Sequence, residues 1–202
     1  MRTAEGLIEF LNAVIATNPA GPHPNAIEQF LGVHPAAIRF VQTPKPVPTS
    51  FARESFFAVS AFKFTNAEGV SRYGRYRVLP VAGNEYLDET AAAARSPNFL
   101  FDEVKERVTR GPVGFRVAVQ LAEVGDIVDD ATVRWPENRP QRAFGEITLQ
   151  EIAPNSAGEQ QHIIFDPIPR VDGIEASADP LFEARANIYL MSGRRRRAAG
   201  KH

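Results

Sequence analysis

The stretch FRVAVQLAE, residues 115–123, constrains the fold of this chain more than any other. Its apolar side chains occupy every second position, so one face of an extended segment is apolar and the other is mixed. A helix, with its period of about 3.6 residues, cannot place them on one side. The segment is therefore predicted to be a strand that packs one face against a core with Phe115, Val117, Val119 and Leu121.

Three more segments are typical of strands. Phe56–Thr65 is rich in aromatic residues, NAEG at 66–69 has turn composition, and Val70–Val81 resumes the strand pattern, which together predict a hairpin. A fourth strand is predicted at about 142–152, after a loop that holds Trp135. Four long antiparallel strands are enough for half a barrel but not for a closed one, so we expect an open edge that needs a partner or a cover.

The other apolar segments follow a helical period. A helix is predicted over residues 4–17, two short helices lie on either side of Pro35, and a mostly helical segment covers 88–110 with a break at RSPN. Antiparallel strands combined with these helices predict an α+β fold. The length of the chain favours a single domain over residues 1–202.

Composition narrows the possible functions. The chain has no cysteine, which excludes thiolate metal sites and cysteine nucleophiles. Its formal net charge is −1, so we expect no nucleic-acid partner, and only residues 194–202 form a basic tail. No apolar run reaches the roughly 18 residues of a membrane helix, and the first residues resemble no signal peptide. The compartment, cytoplasmic or periplasmic, stays undetermined.

The last predicted helix begins at the sequence ADP. Asp179 is suited to cap its N-terminus, and Pro180 suits the first helical position. Nothing opposes a helix from Leu181 to about Met191, and Gly193 is predicted to end it.

On this helix Arg185 and Tyr189 lie one turn apart on the same face. A phenol, with an ordinary pKa of about 10, is a poor metal ligand at neutral pH. A neighbouring guanidinium favours the phenolate, which is a hard anionic oxygen suited to ferric iron. The spacing alone is weak evidence for a ligand site, because it is more typical of a surface pair or a core tyrosine.

Longer stretches resemble the C-terminal half of a haem catalase, and more closely the shorter catalase-related peroxidases. They are AFKFTNAEG at 61–69, DDATVRWPENRPQRAFGEITLQ at 129–150 and FDPIPRVDGIEASADPLFEARANIY at 165–189. AIEQFLGVHPAAIRFVQ at 26–42 is similar to the two short helices that precede the second half of the family's barrel. The resemblance covers essentially the whole chain and implies the second half of a catalase-like antiparallel β-barrel with surrounding helices.

The resemblance also implies a function and a site. The chain is then a haem b-dependent oxidoreductase that acts on hydrogen peroxide or organic peroxides with an organic reductant. Tyr189 is implied as the proximal ligand of the haem iron, and Arg185 as the residue that hydrogen-bonds its phenolate. Asp179 is implied to orient Arg185, and Arg196 to bind a haem propionate. Phe10 falls where the family places an aromatic ring against the distal face of the haem.

Two departures from the family pattern change that expectation. Large catalases have a His before the FKF motif, where this chain has Val59-Ser60-Ala61, and this favours the catalase-related peroxidases. The family's catalytic His and distal Asn belong to an N-terminal segment without a counterpart here, so we expect no catalytic residue in this chain and a missing segment before Met1. The histidines of the chain are expected to lie on the surface or in loops: His23, His34, His162 and His202.

The missing distal residues leave a second hypothesis open. Peroxide cleavage needs a positioned acid/base, usually a His, so the chain by itself is expected to be weakly active or inactive. The alternative is a non-catalytic β-barrel fragment that binds haem or another hydrophobic ligand and serves in association. A second copy of the chain or the missing N-terminal segment are the protein partners expected at the open edge. The arginine run is either a solvated tail or, at Arg196, a propionate ligand.

Overall fold

The computed structural model describes residues 1–199 and is built around an antiparallel sheet. The strands are β1 (Phe56–Phe57), β2 (Phe62–Thr65), β3 (Ser71–Pro80), β4 (Val113–Leu121), β5 (Gln141–Leu149) and β6 (Ile174–Ala176). In space β5, β4, β3, β2 and β6 lie side by side in that order, and β1 also pairs with β3. Together with the helices around it, this sheet confirms the predicted α+β class.

Strand β4 confirms the alternation that the sequence shows. Phe115 and Val119 are buried on its apolar face, whereas Arg116 on the other face is exposed. Gln120 is an exception, because it is buried although it lies on the mixed face. Its side-chain amide donates a hydrogen bond of 2.9 Å to the carbonyl of Pro136, so a loop covers that face of the sheet.

The predicted hairpin exists, but its first strand is divided. Phe57 pairs with Arg77 and Phe62 pairs with Gly74, so the four residues 58–61 stand opposite only two residues of β3. Such an excess bends the strand and turns its side chains away from the regular pleat. Sequence patterns do not reveal it, because the aromatic residues continue across the irregular segment.

Strand β5 forms one edge of the sheet, as the open-edge prediction requires. It pairs with β4 on one side, and all nine of its residues are exposed. The register shifts between Val117 and Ala118, which leaves Phe144 as an extra residue on β5. Bulges and charged side chains at an edge reduce unwanted strand pairing. Association through this edge stays a prediction.

The helices follow the predicted positions closely. They are α1 (Ala4–Ala16), α2 (Ala26–Val33), α3 (Pro35–Gln42), α4 (Glu89–Ala93), α5 (Phe99–Arg110), α6 (Ser156–Gln160) and α7 (Leu181–Ala199), with a 3₁₀ turn at Phe51–Arg53. Pro35 separates α2 from α3 and occupies the first turn of α3, where its missing N–H costs nothing. Within residues 1–199, no helix has the length and apolar character needed to cross a membrane.

Helix α7 is longer than the sequence predicts, and the prediction that Gly193 ends it is wrong. The helix continues through Gly193, which is buried, to Ala199. A Cβ at Gly193 would lie 3.1 Å from Cγ1 of Ile164. The glycine therefore allows a close approach of the segment before β6 and does not act as a terminator. Part of the predicted basic tail is helical, and residues 200–202 lie outside the described residues.

Two apolar clusters stabilise the sheet. One lies between β4, α5 and the 3₁₀ turn and contains Ala52, Val108, Val113 and Phe115. The other is aromatic, and within it Phe62 on β2 contacts Tyr76 of β3 and Phe182 of α7 with ring centroids 5.2 and 5.1 Å apart. Because Phe182 is buried in the first turn of α7, the second cluster attaches that helix to the sheet.

Candidate functional site

The start of α7 is held by backbone and side-chain hydrogen bonds. Ser177 N donates to the carbonyl of Ala61 at 3.2 Å, which joins the segment before α7 to the end of the irregular segment 58–61. Asp179 then caps the helix, because its Oδ1 accepts a hydrogen bond of 2.9 Å from Leu181 N. The predicted capping role of Asp179 is confirmed.

Four polar side chains lie along one side of α7 and are called here the α7 stripe: Arg185, Tyr189, Ser192 and Arg196. Their spacing of four, three and four residues returns to the same side of a helix at each step. The guanidinium carbon of Arg185 lies 5.5 Å from the ring centroid of Tyr189. At the other end, Arg196 donates a hydrogen bond of 2.8 Å to Ser192 Oγ.

Phe165 packs beside this stripe. Its ring meets the ring of Tyr189 edge-on, with centroids 6.5 Å apart. The guanidinium carbon of Arg196 lies 5.4 Å from the Phe165 centroid, and Arg196 also donates to the carbonyl of Ile163. The FDP segment and α7 therefore place an aromatic wall between Tyr189 and Arg196.

The polar groups of the stripe have unused hydrogen-bonding capacity. Among residues 1–199, neither the Tyr189 hydroxyl nor the Arg185 guanidinium makes a side-chain hydrogen bond or ion pair within the chain, and Arg196 Nε is buried without a partner. Tyr189, Arg185 and Arg196 are all half-buried. The phenol oxygen of Tyr189 suits a metal ion that is bound through oxygen. The guanidinium groups of Arg185, beside it, and Arg196, two turns further along, suit a carboxylate on the same ligand.

The structure does not bring Phe10 and Asp179 into the same group. Phe10 lies on α1, 5.7 Å from the ring of Phe30, and lines a cavity of about 900 Å³ between the sheet, α1 and α3. Leu181 of α7 also lines that cavity. Asp179 is buried and bonded to the backbone of Leu181, and within the described chain it forms no ion pair with Arg185. Both implied roles stay predictions.

The four histidines give no candidate for a distal acid/base in the described chain. His23 pairs with Glu28 at 2.7 Å on the surface, and His34 is hydrogen-bonded to the carbonyl of Phe30 and stacked on its ring. His162 is exposed, and His202 lies outside the described residues. No group of three or more histidine or acidic side chains in residues 1–199 could hold a metal ion.

Sequence reasoning missed one unusual residue next to this region. Arg75 on β3 is only 7% exposed, and its guanidinium carbon lies 4.2 Å from the ring centroid of Trp135. An arginine that alternates with aromatic residues on a strand suggests a solvent-facing position. Only the loop that contains Trp135, far along the chain, reveals that the position is buried.

A family model for catalases matches residues 23–202. The chain is 32% identical over 192 residues to a catalase-related peroxidase of Synechococcus elongatus, covering 93% of this chain and 56% of the relative. It is also 32% identical over 197 residues to a catalase-related peroxidase of Mycolicibacterium paratuberculosis, covering 94% of this chain and 60% of the relative. The chain thus spans less than two thirds of the length of these relatives.

Solved structures agree on the fold. A fungal catalase superposes with a TM-score of 0.79 at 22% identity, covering 97% of this chain and 42% of the catalase. Catalase A from Saccharomyces cerevisiae gives a TM-score of 0.79 at 23% identity, covering 97% of this chain and 44% of that protein. At these identities the similarity shows a shared fold.

Proposed function

The chain belongs to the catalase family, and from that membership we propose a haem-dependent peroxidase in which Tyr189 is the proximal ligand of the iron. The observation that carries this proposal is the α7 stripe, in which Tyr189 lies beside one guanidinium and in line with another. Its hydroxyl makes no hydrogen bond within the described chain and is therefore available to a ligand. The names of the two curated relatives support the peroxidase class.

The residues present fit a haem group. Tyr189 offers the anionic oxygen, and Arg185 places a positive charge beside it. Arg196 carries a guanidinium that matches a propionate carboxylate, and its buried Nε lacks an acceptor. Phe165 supplies an aromatic wall beside Tyr189. When bound, haem supplies the redox-active iron at which a peroxide is reduced.

The cavity that Phe10 lines also reaches α7, and this supports the proposed place of Phe10. Its volume of about 900 Å³ falls within the range of known cofactor and ligand pockets. It is lined by Phe10 and Phe40 on the helices and reaches Leu181, two turns before Tyr189 on the same helix. We infer that Phe10 forms an apolar wall for the ring system of the cofactor.

Proton transfer during peroxide cleavage needs an acid/base side chain, and the histidines of this chain are poorly placed to supply it. An acid/base held next to the peroxide contributes about 10²–10⁴-fold to a reaction of this kind. His23 and His34 are already engaged with Glu28 and the backbone of Phe30. We therefore expect the 202-residue chain, loaded with haem, to turn over hydrogen peroxide or an organic peroxide at a rate close to that of free haemin.

A haemin titration followed by a peroxide assay tests the proposal. Saturable one-to-one binding with a sharpened Soret band is expected, together with slow oxidation of an organic reductant dye. Absence of saturable binding would overturn the haem assignment. Binding that abolishes turnover, leaving the complex less active than free haemin, favours the alternative of a haem-binding module without catalysis. Fast turnover would show instead that a residue of this chain, His23 or His34 first, moves the proton.

A further inference from the structure

Arg75 sits in an environment that few arginines occupy. Its guanidinium donates to the carbonyl of Val133 at 2.7 Å and to the carbonyl of Asp130 at 3.3 Å. Trp135 covers one side of the guanidinium plane. These contacts attach β3 to the loop that follows β4. A buried cation normally requires such partners, because its desolvation is costly.

The contacts do not use all of the polar groups buried there. Within residues 1–199, Arg75 Nε, Ser60 Oγ and Asp179 Oδ2 are buried without a hydrogen-bond partner. The three residues are 7%, 3% and 3% exposed. Unsatisfied buried groups are rare in native proteins, and several at one place require an explanation. A cation and a carboxylate among them suggest an electrostatic connection rather than a packing defect.

The sheet register brings these groups together at the start of α7. Phe62 of β2 pairs with Gly74 of β3 on one side and with Ala176 of β6 on the other, so Arg75 and Ser177, which follow those two residues, lie on opposite sides of the same end of β2. Ala61 accepts the hydrogen bond from Ser177 N on the other side of β2. Asp179 follows two residues later and caps α7. Ala61, at that end of β2, is fully buried.

The charges support this arrangement. Burial lowers the pKa of the Arg75 guanidinium, and nearby carboxylates oppose that shift, with Asp179 ahead of Asp126 and Asp130. Asp126 is already engaged by Arg139 in two hydrogen bonds of 2.8 and 3.0 Å. Asp130 Oδ1 is engaged by Thr132. Among the described residues nothing bonds Oδ2 of Asp179, which caps the helix that carries Tyr189.

We propose that Arg75 is a positioning residue for α7, which attracts the capping carboxylate of Asp179 and thereby sets the direction of the helix and of its stripe. The effect of this positioning on catalysis rests on the proposed function, in which Tyr189 is the iron ligand. Tyr189 lies eight residues beyond Leu181, or about 12 Å along the axis. A tilt of about 5° at the start of the helix moves Tyr189 by roughly 1 Å, a displacement large enough to cost about 10²-fold in a catalytic rate.

A purely local role is the competing interpretation. In that case Arg75 only attaches the 130–135 loop to the sheet, and α7 depends on its own cap and on Phe182. The two roles differ in where a substitution at Arg75 is felt. The chain contains a single tryptophan, Trp135, so its fluorescence reports the loop separately from the helix.

Hydrogen exchange of the protein without haem distinguishes the two roles. Arg75→Lys keeps the positive charge and loses the forked donors of the guanidinium. Asp179→Asn keeps the capping oxygen and loses the negative charge. In both variants we expect the amides of residues 185–195 to exchange at least about tenfold faster than in the wild type. Amides of β4 should be unchanged. The double variant should be affected less than the sum of the single ones, because both remove one interaction.

Arg53→Met is the matched control. Arg53 is another mostly buried arginine that donates to a backbone carbonyl, of Ala82, and pairs with a carboxylate, of Glu85 at 3.4 Å. The Arg53→Met substitution should leave the amide hydrogen exchange of α7 unchanged. If Asp179→Asn leaves α7 unchanged, or if Arg75→Lys alters only Trp135 fluorescence, the positioning role is overturned. If Arg75→Lys does not fold, the Asp179→Asn result alone decides. Failure of the wild type to bind haemin overturns the proposed function but not this inference.

Discussion

Arg75 with Trp135 and Arg185 with Tyr189 are both arginines placed against an aromatic ring, yet they differ in every other respect. The first pair is buried, and its guanidinium lies 4.2 Å from the ring centroid and donates to two carbonyls. The second is half-buried, its guanidinium lies 5.5 Å from the ring, and no side-chain hydrogen bond within the described chain uses either polar group.

The difference separates an interaction that stabilises the fold from one that is available to a ligand. Desolvated cation–π contacts contribute about 2 kcal/mol, and exposed ones about 0.5–1 kcal/mol. Trp135 also donates from its indole N–H to the carbonyl of Ile127 at 2.8 Å, so its polar group is satisfied. The Tyr189 hydroxyl is not, although it stands between an arginine and an aromatic wall. Unused donors and acceptors next to a charge are typical of binding sites.

The largest expected effect is at the second pair. Tyr189→Phe keeps the ring and its contact with Phe165 but removes the only oxygen of the proposed iron ligand. Haemin affinity should fall by more than the roughly 10–100-fold that loss of an outer-sphere partner costs, and the ferric spectrum should lose its phenolate signature. Stability should change by less than about 0.5 kcal/mol.

Tyr73→Phe is the matched control for that substitution. Tyr73 is a half-buried tyrosine of β3 with no side-chain hydrogen bond in the described chain, and it lies outside the α7 stripe. Its haemin spectrum should equal that of the wild type. Identical ferric spectra for Tyr189→Phe and the wild type would remove the distinction between the two pairs.

Trp135→Ala tests the first pair, where we expect a loss of stability rather than a loss of ligand binding. It removes a side chain that is 5% exposed, together with its hydrogen bond and its contact with Arg75. The free energy of unfolding should fall by about 3–5 kcal/mol in urea, as for other buried large aromatic residues. Trp135→Phe should lose less, because the ring is retained. A loss below about 1 kcal/mol in Trp135→Ala would mean that the first pair is no more structural than the second.

Arg185→Leu gives a smaller effect, again at the second pair. Without the guanidinium beside the phenol oxygen, haemin affinity near neutrality should fall by about 10–100-fold. Arg185→Lys retains the charge and should recover part of the loss. Haemin titrations of the three proteins at one pH test this. An unchanged affinity for Arg185→Leu contradicts the assigned role.

The sequence predicted one member of this comparison and missed the other. Arg185 and Tyr189 are one helical turn apart, so their proximity follows from local spacing alone. Arg75 and Trp135 meet only because a long loop folds back over β3, and local patterns carry no information about such contacts. For the same reason the strands with regular alternation were predicted, whereas the division of β1 from β2 and the three-residue β6 were not.

The length of α7 was missed for a related reason. Glycine is the usual residue after a helix end, and Gly193 with the following arginines suggested a terminus. Its actual role depends on Ile164, which approaches from the segment before β6. A residue's preference predicts structure only where no tertiary contact opposes it.

The smallest effect is expected at Asp126, a carboxylate that the charge of Arg75 influences. Hydrogen bonds from Arg139 are the main reason why the pKa of Asp126 is lowered from its ordinary value of 3.8, burial opposes the shift, and the charge of Arg75 adds to it. A lowered pKa in the folded state means stabilisation that is present above pH 4 and is lost as the pH falls through the folded-state value.

Asp126→Asn keeps the shape of the side chain and removes its charge, so the variant should unfold more easily than the wild type at neutral pH. The difference should narrow as the pH falls from about 5 to about 3, because the wild-type carboxylate then takes up a proton and loses the same interactions. Urea unfolding at a series of pH values measures it. Asp166→Asn should show a smaller narrowing, because hydrogen bonds from Arg170 also lower the pKa of Asp166 but that partner, at 2.7 Å, is exposed and contributes little. If the gap between Asp126→Asn and the wild type stays constant down to pH 3, the Asp126 carboxylate, which Arg139 holds in two hydrogen bonds, is not coupled to folding.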